Sequence, residues 1–502
     1  MIRNLTLAID VGTGSARAAL LDADGHVLRV AAREHEQIVP QFGWAEQKPA
    51  QWWEGTVAAI REVLGAESNA RARIEVICAC GQMHGTVLVD AEGDLTRETA
   101  PLWNDKRTAE AVTAFEAAHD LADYLADSGN PPTPAWPGFK LAWLRDHDPD
   151  AYRRAAHVLM PKDFINHRLT RQVAMDSGDA SCSFLMDSRS GDWSAAMIGM
   201  LDLDAGKLPA IRPSLEILGT VTARAAAETG LREGTPVLVG GADYPTALLG
   251  SGVCRPGLAS DVTGTSCIIT VIAEQPILDA EICNVATIEG GWGAFVLLET
   301  GGDAVRWSRR ALHERRLDYA GIMDLAATAP AGSEGLFFLP FLTGERLGKH
   351  RNARAQYFGL AAAHGLPHLD RALLEGVAFA GNRALRIMAE RAGRRVERVV
   401  AASGGAKSPL WLKIKASAYN LPLLVPQEAE SGLIGCAAMA AVATGRFSTL
   451  QAAVDAHVRY QDEILPDPAW VERYARMQPT FDTLYRQSQG LYDALDTLAS
   501  DP

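Results

Sequence analysis

The chain has 502 residues, with 48 basic against 61 acidic side chains, a formal charge of -13, 48% apolar residues and 7% aromatics. This length and balance predict roughly two to four globular domains, or two large ones, and exclude a small disulfide scaffold, a disordered tail and a collagen-like fibre. The acidic excess argues against a general nucleic-acid or anionic-membrane binder, because neutralising phosphates takes surplus Lys and Arg. The seven cysteines, an odd number, are scattered without CxxC spacing and read as reduced, buried thiols. No signal-peptide pattern precedes the strand-like segment at Leu5, and the longest apolar stretch, Leu433 to Ala443, falls short of the roughly 20 residues that span a bilayer. A cytoplasmic protein with no membrane partner is expected.

In chain order, Leu5 to Asp10 reads as a strand ending in Gly12-Thr13-Gly14. Ser15 to Leu21 and Val27 to Ala32 continue an antiparallel meander around the turn Asp24-Gly25. From Pro49 the apolar spacing of Trp52, Trp53, Val57 and Ile60 becomes helical, and Ile74 to Cys80 returns to strand. Ser128 to Pro137 is a polar, Pro-rich loop before a helix bearing Lys140, Leu141, Trp143 and Leu144. The clearest boundary lies at Val237 to Asp243, where an apolar run ends in Gly240-Gly241-Ala242-Asp243 and a helix follows from Pro245. Beyond it, Leu258 to Val262, Gly264-Thr265-Ser266 and the strand Cys267 to Ile272 echo the opening of the chain, which suggests an internal duplication. Trp470 to Leu498 reads as a terminal amphipathic helix.

Gly- and Thr-rich turns after a strand let backbone N–H groups approach phosphate oxygens without a Cβ in the way, although such hairpins are also common as plain structure. Familiar alternatives fail: the third glycine of a dinucleotide fingerprint falls at Arg17, and Gly344 to Lys349 lacks the Walker spacing. Neither an HExxH motif nor a paired CxxC metal site occurs. Asp10, just before the first Gly-Thr turn, is placed to hold a magnesium ion or to act as an Asx-type turn residue. Asp243 is placed to be a general base or a helix N-cap. Gln82-Met83-His84-Gly85 sits at a strand's C-terminal end, where α/β proteins collect ligands, though a lone His is often structural. Trp103-Asn104-Asp105 with Arg107 has the chemistry of a sugar contact or of a capped helix start.

Together these pieces resemble the FGGY family of carbohydrate kinases, a branch of the actin-like ATPases, along nearly the whole chain. The most specific match is Ala355-Gln356-Tyr357-Phe358-Gly359-Leu360, then His368-Leu369 and Ala372-Leu373-Leu374-Glu375-Gly376, which fits the family's second signature. Pro137, Lys140-Leu141, Trp143-Leu144 and Asp146-His147 nearly meet the first, with Ala135 as a departure. Pro161-Lys162-Asp163, Phe338-Leu339-Pro340-Phe341 and Gly404-Gly405-Ala406 stand in family order. Within the family, Gln82 to Gly85 and Trp103 to Asp105 look most like xylulokinases, from which Tyr244 departs, since Asn is usual after the catalytic Asp.

The resemblance implies an α/β fold of two actin-like (ribonuclease H-like) ATPase domains around a central cleft. Residues 1–242 would bind sugar and 243–502 ATP, with the terminal helix free to pack back on the first domain. It implies ATP and Mg2+ as cofactors and a small open-chain ketose such as D-xylulose as acceptor, a homodimer being compatible with it. Asp243 is then the base, and Asp10 with Asp243 the metal-linked carboxylates. Gln82, Met83, His84, Trp103, Asn104, Asp105 and Tyr244 contact the sugar. Gly12, Thr13, Gly14, Ser15, Arg17, Gly264 and Thr265 hold phosphates, Gly302 and Arg306 flank the nucleotide, and Gly404, Gly405 and Ala406 lie at the adenosine. A chaperone-type ATPase would need a separate peptide-binding domain, for which no residues are left, and a dead regulator would have lost Asp10 or Asp243.

Overall fold

The computed structural model describes residues 4–345, 347 and 351–500; residues 1–3 of the opening segment, and 346, 348 and 349 of the stretch tested for Walker spacing, lie outside them. The chain forms two compact units. The first comprises the chain up to Cys254 together with Asn284–Gly293 and Glu430–Arg459; the second comprises Arg255–Cys283, Ala294–Ala429 and the chain from Tyr460. The units therefore follow the sequence less simply than a single division between residues 242 and 243.

In the first unit the expected meander is present: Leu5–Val11 pairs antiparallel with Ser15–Leu21, which pairs antiparallel with Val27–Glu34. Ile74–Gly81 joins the other side of Leu5–Val11 in parallel, followed by Pro236–Leu238 and Ile217–Thr220. The two-residue period of a strand sorts its side chains between two faces. Leu5, Leu7, Ile9 and Val11 pack in a core with Trp52 and Ile60 of the Pro49–Ala66 helix and Phe164 of the Pro161–Thr170 helix. Ala8 and the alternate residues Cys78 and Cys80 pack instead with Leu433, Cys436 and Ala437 of the Ser431–Ala443 helix. Asp10 belongs to this second face. The Asp243–Gly250 helix approaches Ser431–Ala443 so closely that a Cβ at Gly435 would stand 2.1 Å from the Thr246 carbonyl oxygen.

The second unit repeats the opening arrangement. Leu258–Thr263 pairs antiparallel with Cys267–Ala273 and parallel with Arg398–Ala402, so each unit contains a hairpin whose first strand takes a parallel neighbour on its other side. Its core is organised by the Leu366–Arg391 helix, which contains the later part of the second signature, His368-Leu369 and Ala372 to Gly376. Glu375 explains part of that signature: Oε1 accepts from the Gly332 N–H at 2.9 Å, Arg371 Nε at 2.8 Å and the Tyr474 hydroxyl at 2.7 Å, and Oε2 from the Ser333 hydroxyl at 3.0 Å. The terminal helix, Pro468–Ser500, packs within this second unit through Tyr474, Phe481 and Tyr485, with Leu491, Leu495 and Leu498 exposed. None of the described helices is long and apolar enough to cross a membrane.

Removing one partner of a buried ion pair strands the other, which typically costs about 3–5 kcal/mol. Glu375→Ala should therefore destabilise the protein by that order, and Tyr474→Phe, which deletes a hydroxyl that donates to Glu375 and accepts from Arg371 Nη2, by about 1.5–3 kcal/mol. Denaturant unfolding measures both, and equal small effects would contradict the central place given to Glu375.

Candidate active site

Asp10 is the penultimate residue of its strand, in register with Arg17 across the hairpin and with Cys80 on the parallel neighbour. It is a strand residue and not an Asx turn. Arg17 Nη1 lies 3.6 Å from Asp10 Oδ2 and 2.5 Å from Glu430 Oε2, so one guanidinium serves two carboxylates. Loss of solvent pushes Asp10 up to about 6, with Arg17 opposing and Glu430 adding to the shift. The Cys80 thiol donates to the same carboxylate. Asp243 opens its helix as the first residue, after an N-cap at Ala242, rather than capping a helix that begins after Pro245. Loss of solvent, and then the charge of Asp10, push Asp243 up to about 7, while the Tyr244 N–H holds it back. Two carboxylates, of which Asp10 shares its one cation with Glu430 and Asp243 is stabilised by none among the described residues, have the donor chemistry that a hard divalent ion requires.

The first Gly-Thr loop is held through its carbonyl oxygens. Gly12 O accepts from His35 Nε2 at 2.9 Å, Thr13 O from Gln47 Nε2 at 2.7 Å, and Gly14 O from the His35 N–H at 3.2 Å. The Thr13 and Gly14 amides have no acceptor among the described residues, which leaves them as donors for an anion. Gln47, which carried no signal in the sequence, also accepts from Gln82 Nε2 at 2.9 Å and from Trp52 Nε1 at 3.0 Å.

Around this loop stand the residues read as sugar contacts. Trp103 Nε1 donates to the Thr13 hydroxyl at 3.0 Å. Asn104 Nδ2 donates to Gln37 Oε1 at 3.0 Å. Gln82 Oε1 and Asn104 Oδ1 are buried without a hydrogen-bond partner. Met83 is buried, and His84 sits in the left-handed region at φ +66, its carbonyl bonded by Lys140 Nζ at 2.9 Å and its ring edge-on to Trp136. Lys140 comes from the first signature; burial pulls its pKa down to about 7, Asp105 opposing. Asp105 is differently employed: its oxygens accept from the Ala45 N–H at 2.7 Å and from the Arg107 N–H, Nε and Nη2 at 2.8–2.9 Å. It anchors Arg107 beneath the rings of Trp44 and Trp143. Tyr244 is half-buried next to Asp243.

In the second unit, Gly264 and Thr265 are covered by the start of the Gly302–Ala311 helix. Gly302 N–H donates to Gly264 O at 2.8 Å and Asp303 N–H to Thr265 O at 3.0 Å, and a Cβ at Gly302 would lie 2.4 Å from Gly264 O. Arg306 Nη2 donates to the Thr265 hydroxyl at 3.3 Å. Gly264, Thr265, Gly302, Arg306, Gly404 and Gly405 line one cavity of about 580 Å³ with Met323 and Trp411 among its apolar walls. That size and lining suit a nucleotide. Ala406 shares the turn of Gly404 and Gly405 but directs its methyl against the core. Beneath the loop, and unforeseen from the sequence, buried Lys415 donates to Asp261 at 2.8 Å and to the Thr263 hydroxyl at 2.6 Å, while Tyr419 donates to Asp261 at 2.7 Å.

Two actin-like α/β units, each with a Gly-Thr hairpin, one with an acidic pair and orphaned polar acceptors and the other with a nucleotide-sized cavity, define a kinase of small molecules. The pattern of the FGGY family of carbohydrate kinases matches residues 5–250 with its N-terminal domain and residues 259–444 with its C-terminal domain. The chain belongs to that family, whose reaction is the ATP-dependent phosphorylation of a small sugar. It is 28% identical to the xylulose kinase of Bacillus subtilis (strain 168), covering 97% of this chain and 98% of that one. It is 30% identical to the autoinducer-2 kinase of Klebsiella pneumoniae (strain ATCC 700721 / MGH 78578), covering 97% and 95%. The crystal structure of xylulose kinase from Rhodospirillum rubrum superposes with a TM-score of 0.92 at 30% identity, covering 97% of this chain and 100% of that one.

The acidic pair has a consequence for stability. Both folded pKa values, about 6 and about 7, exceed the ordinary 3.8, so between these limits the folded chain holds protons that the unfolded chain has released. Stability drawn from the pair is therefore fullest at low pH and is lost as the pH rises through about 6 to 7. Without sugar, nucleotide or metal, Asp243→Asn should raise the melting midpoint at about pH 8 and make little difference near pH 4. A midpoint equally changed at both pH values would show that the pair is not strained by charge.

Proposed function

We propose that this kinase phosphorylates an open-chain ketose, D-xylulose or a near relative, at its terminal hydroxyl, with residues 1–242 carrying the sugar and 243–502 the ATP. The observation that carries the reading is the pair of orphaned acceptors, Gln82 Oε1 and Asn104 Oδ1, beside the loop that follows Asp10. A buried acceptor without a partner costs about 1–3 kcal/mol, which a hydroxyl-rich ligand recovers. Whole-length similarity to xylulose kinases supports the same choice.

In this reading Asp243 removes the proton from the attacking hydroxyl, and its raised pKa suits a base working near neutral pH. The Thr13 and Gly14 amides, with Ser15 and Arg17 alongside, hold phosphate in the first domain; Gly264 and Thr265 do so in the second, with Gly302, Arg306, Gly404 and Gly405 around the nucleotide. Asp10, assisted by Asp243, would hold Mg2+. When bound, the ion neutralises phosphate charge, the main demand of phosphoryl transfer. Gln82, His84, Trp103 and Asn104 orient the sugar, while Asp105 acts from behind through Arg107.

A second reading, another small acceptor in place of a ketopentose, is favoured by two observations. Tyr244 stands where xylulokinases commonly have Asn, and the autoinducer-2 kinases match at 30% identity, no lower than the xylulose kinases. A coupled ADP-release assay with D-xylulose, D-ribulose, L-xylulose, glycerol, gluconate and autoinducer-2 separates the two. The first reading expects a ketopentose to have the highest kcat/KM, and inert ketopentoses beside an active alternative would overturn it. Asp243→Ala should lower kcat by about 10²–10⁴-fold while nucleotide still binds. Tyr244→Asn should shift the ranking of acceptors with little change in the KM for ATP, and an unchanged ranking would remove Tyr244 from specificity.

A further inference from the structure

The Pro161–Thr170 helix contains a buried lysine that neither the phosphate loops nor the sugar contacts employ. Lys162 is fully buried; its Nζ bonds Asp163, lies 3.0 Å from Asp176 Oδ1 and 3.8 Å from Asp179 Oδ2. Three buried carboxylates around one ammonium are a poor source of stability, since apolar residues of similar volume commonly do as well. What the cluster supplies is direction at Asp176, whose Oδ1 faces the ammonium while its Oδ2 meets backbone donors; both Asp179 oxygens have no hydrogen-bond partner among the described residues.

Asp176 Oδ2 accepts from three backbone amides: Gly178 at 2.9 Å, Asp179 at 3.4 Å and Ala242 at 3.3 Å. Ala242 is the residue before Asp243. The same helix reaches the chain from the other end, as Asn166 Nδ2 donates to Val239 O at 2.8 Å. Gly178 completes the support: a Cβ there would lie 2.9 Å from Pro245 Cγ and 3.3 Å from Ala242 Cβ. Val239, Ala242 and Pro245 are thus each held, and Asp243 lies between the last two.

We propose that Lys162 and Asp176 are positioning residues for phosphoryl transfer: the ammonium orients the Asp176 carboxylate, which fixes the Ala242 amide and so the direction in which the Asp243 side chain leaves the backbone. The inference rests on Asp243 being the base. Both side chains are fully buried, so binding should survive their loss while turnover falls, and a misplacement of about 1 Å can cost on the order of 10²-fold in rate.

The test measures kcat, the KM for ATP and for the best sugar of the acceptor panel, and the number of ADP-binding sites per chain for Asp176→Ala, Asp176→Asn, Gly178→Ala and Asp243→Asn. Asp176→Ala should lose about 10- to 100-fold in kcat per ADP-binding site with the KM for ATP within about twofold. Asp176→Asn, which keeps an oxygen for the Ala242 amide, should recover most of that loss. Gly178→Ala, which presses on Ala242 and Pro245 from the same side, should also lower kcat and leave the KM for ATP unchanged; it decides the matter if Asp176→Ala does not fold. Wild-type turnover per site in Asp176→Ala or, failing that variant, in Gly178→Ala overturns the inference, as does a loss confined to the number of binding sites. An inactive Asp243→Asn beside a normal Asp176→Ala sinks the inference alone. An active Asp243→Asn removes the base assignment, and the inference with it.

Discussion

Asp10 and Asp243 are both raised above the ordinary carboxylate range by loss of solvent, and the charge of Asp10 makes Asp243 harder still to ionise. The Arg17 guanidinium, itself shared with Glu430, and the Cys80 thiol favour the ionised Asp10, and the Tyr244 N–H favours the ionised Asp243. Such an arrangement costs stability in the free protein, so the surrounding structure must hold it in place. Much of the first unit does so. The strand Leu5–Val11 is buried on both faces, the Asp243–Gly250 helix lies against Ser431–Ala443 at backbone distance, and the Pro161–Thr170 helix bonds to the chain on the approach to Asp243.

The second unit shows the same local topology with a different electrostatic solution. Its hairpin also takes a parallel strand as a neighbour, yet Asp261 on the first strand is drawn below its ordinary range by Lys415, in spite of full burial. The acid pair of the first unit is left short of cations; the Asp261 carboxylate of the second is satisfied internally and braces the loop through Thr263. The contrast is what the proposed roles of the two units would require. Reacting groups need unspent charge, whereas a nucleotide cradle needs a rigid backbone with free amides.

Polar satisfaction differs sharply between neighbouring side chains of the same short motif. Asn104 retains an unpaired oxygen, but its neighbour Asp105 has none to spare, both oxygens being taken by Arg107 and the Ala45 amide. His84 is held in a left-handed conformation that a non-glycine residue adopts only under constraint, and buried Lys140 supplies that constraint from the helix of the first signature. The signature residues thus act at a distance from the chemistry, as Glu375 does in the second unit.

The sequence by itself determined the opening meander, the Gly-Thr hairpins, their duplication and the family. Those features are local, or are written as short patterns of residue type, and two-residue and helical periods can be read along the chain. It placed Asp10 before the loop without revealing that the strand continues through it to Val11. The return of Glu430–Arg459 to the first unit depended on the tertiary structure, because an alanine-rich helix such as Ser431–Ala443 is apolar on every side and its pattern names no partner. So did the roles of Gln47, Lys162, Asp176 and Lys415, single polar residues whose burial and partners come from segments remote in the chain. A hydrogen bond between residues 66 apart, such as that from Ala242 to Asp176, leaves no mark on either local sequence, and only folding brings its donor and acceptor together.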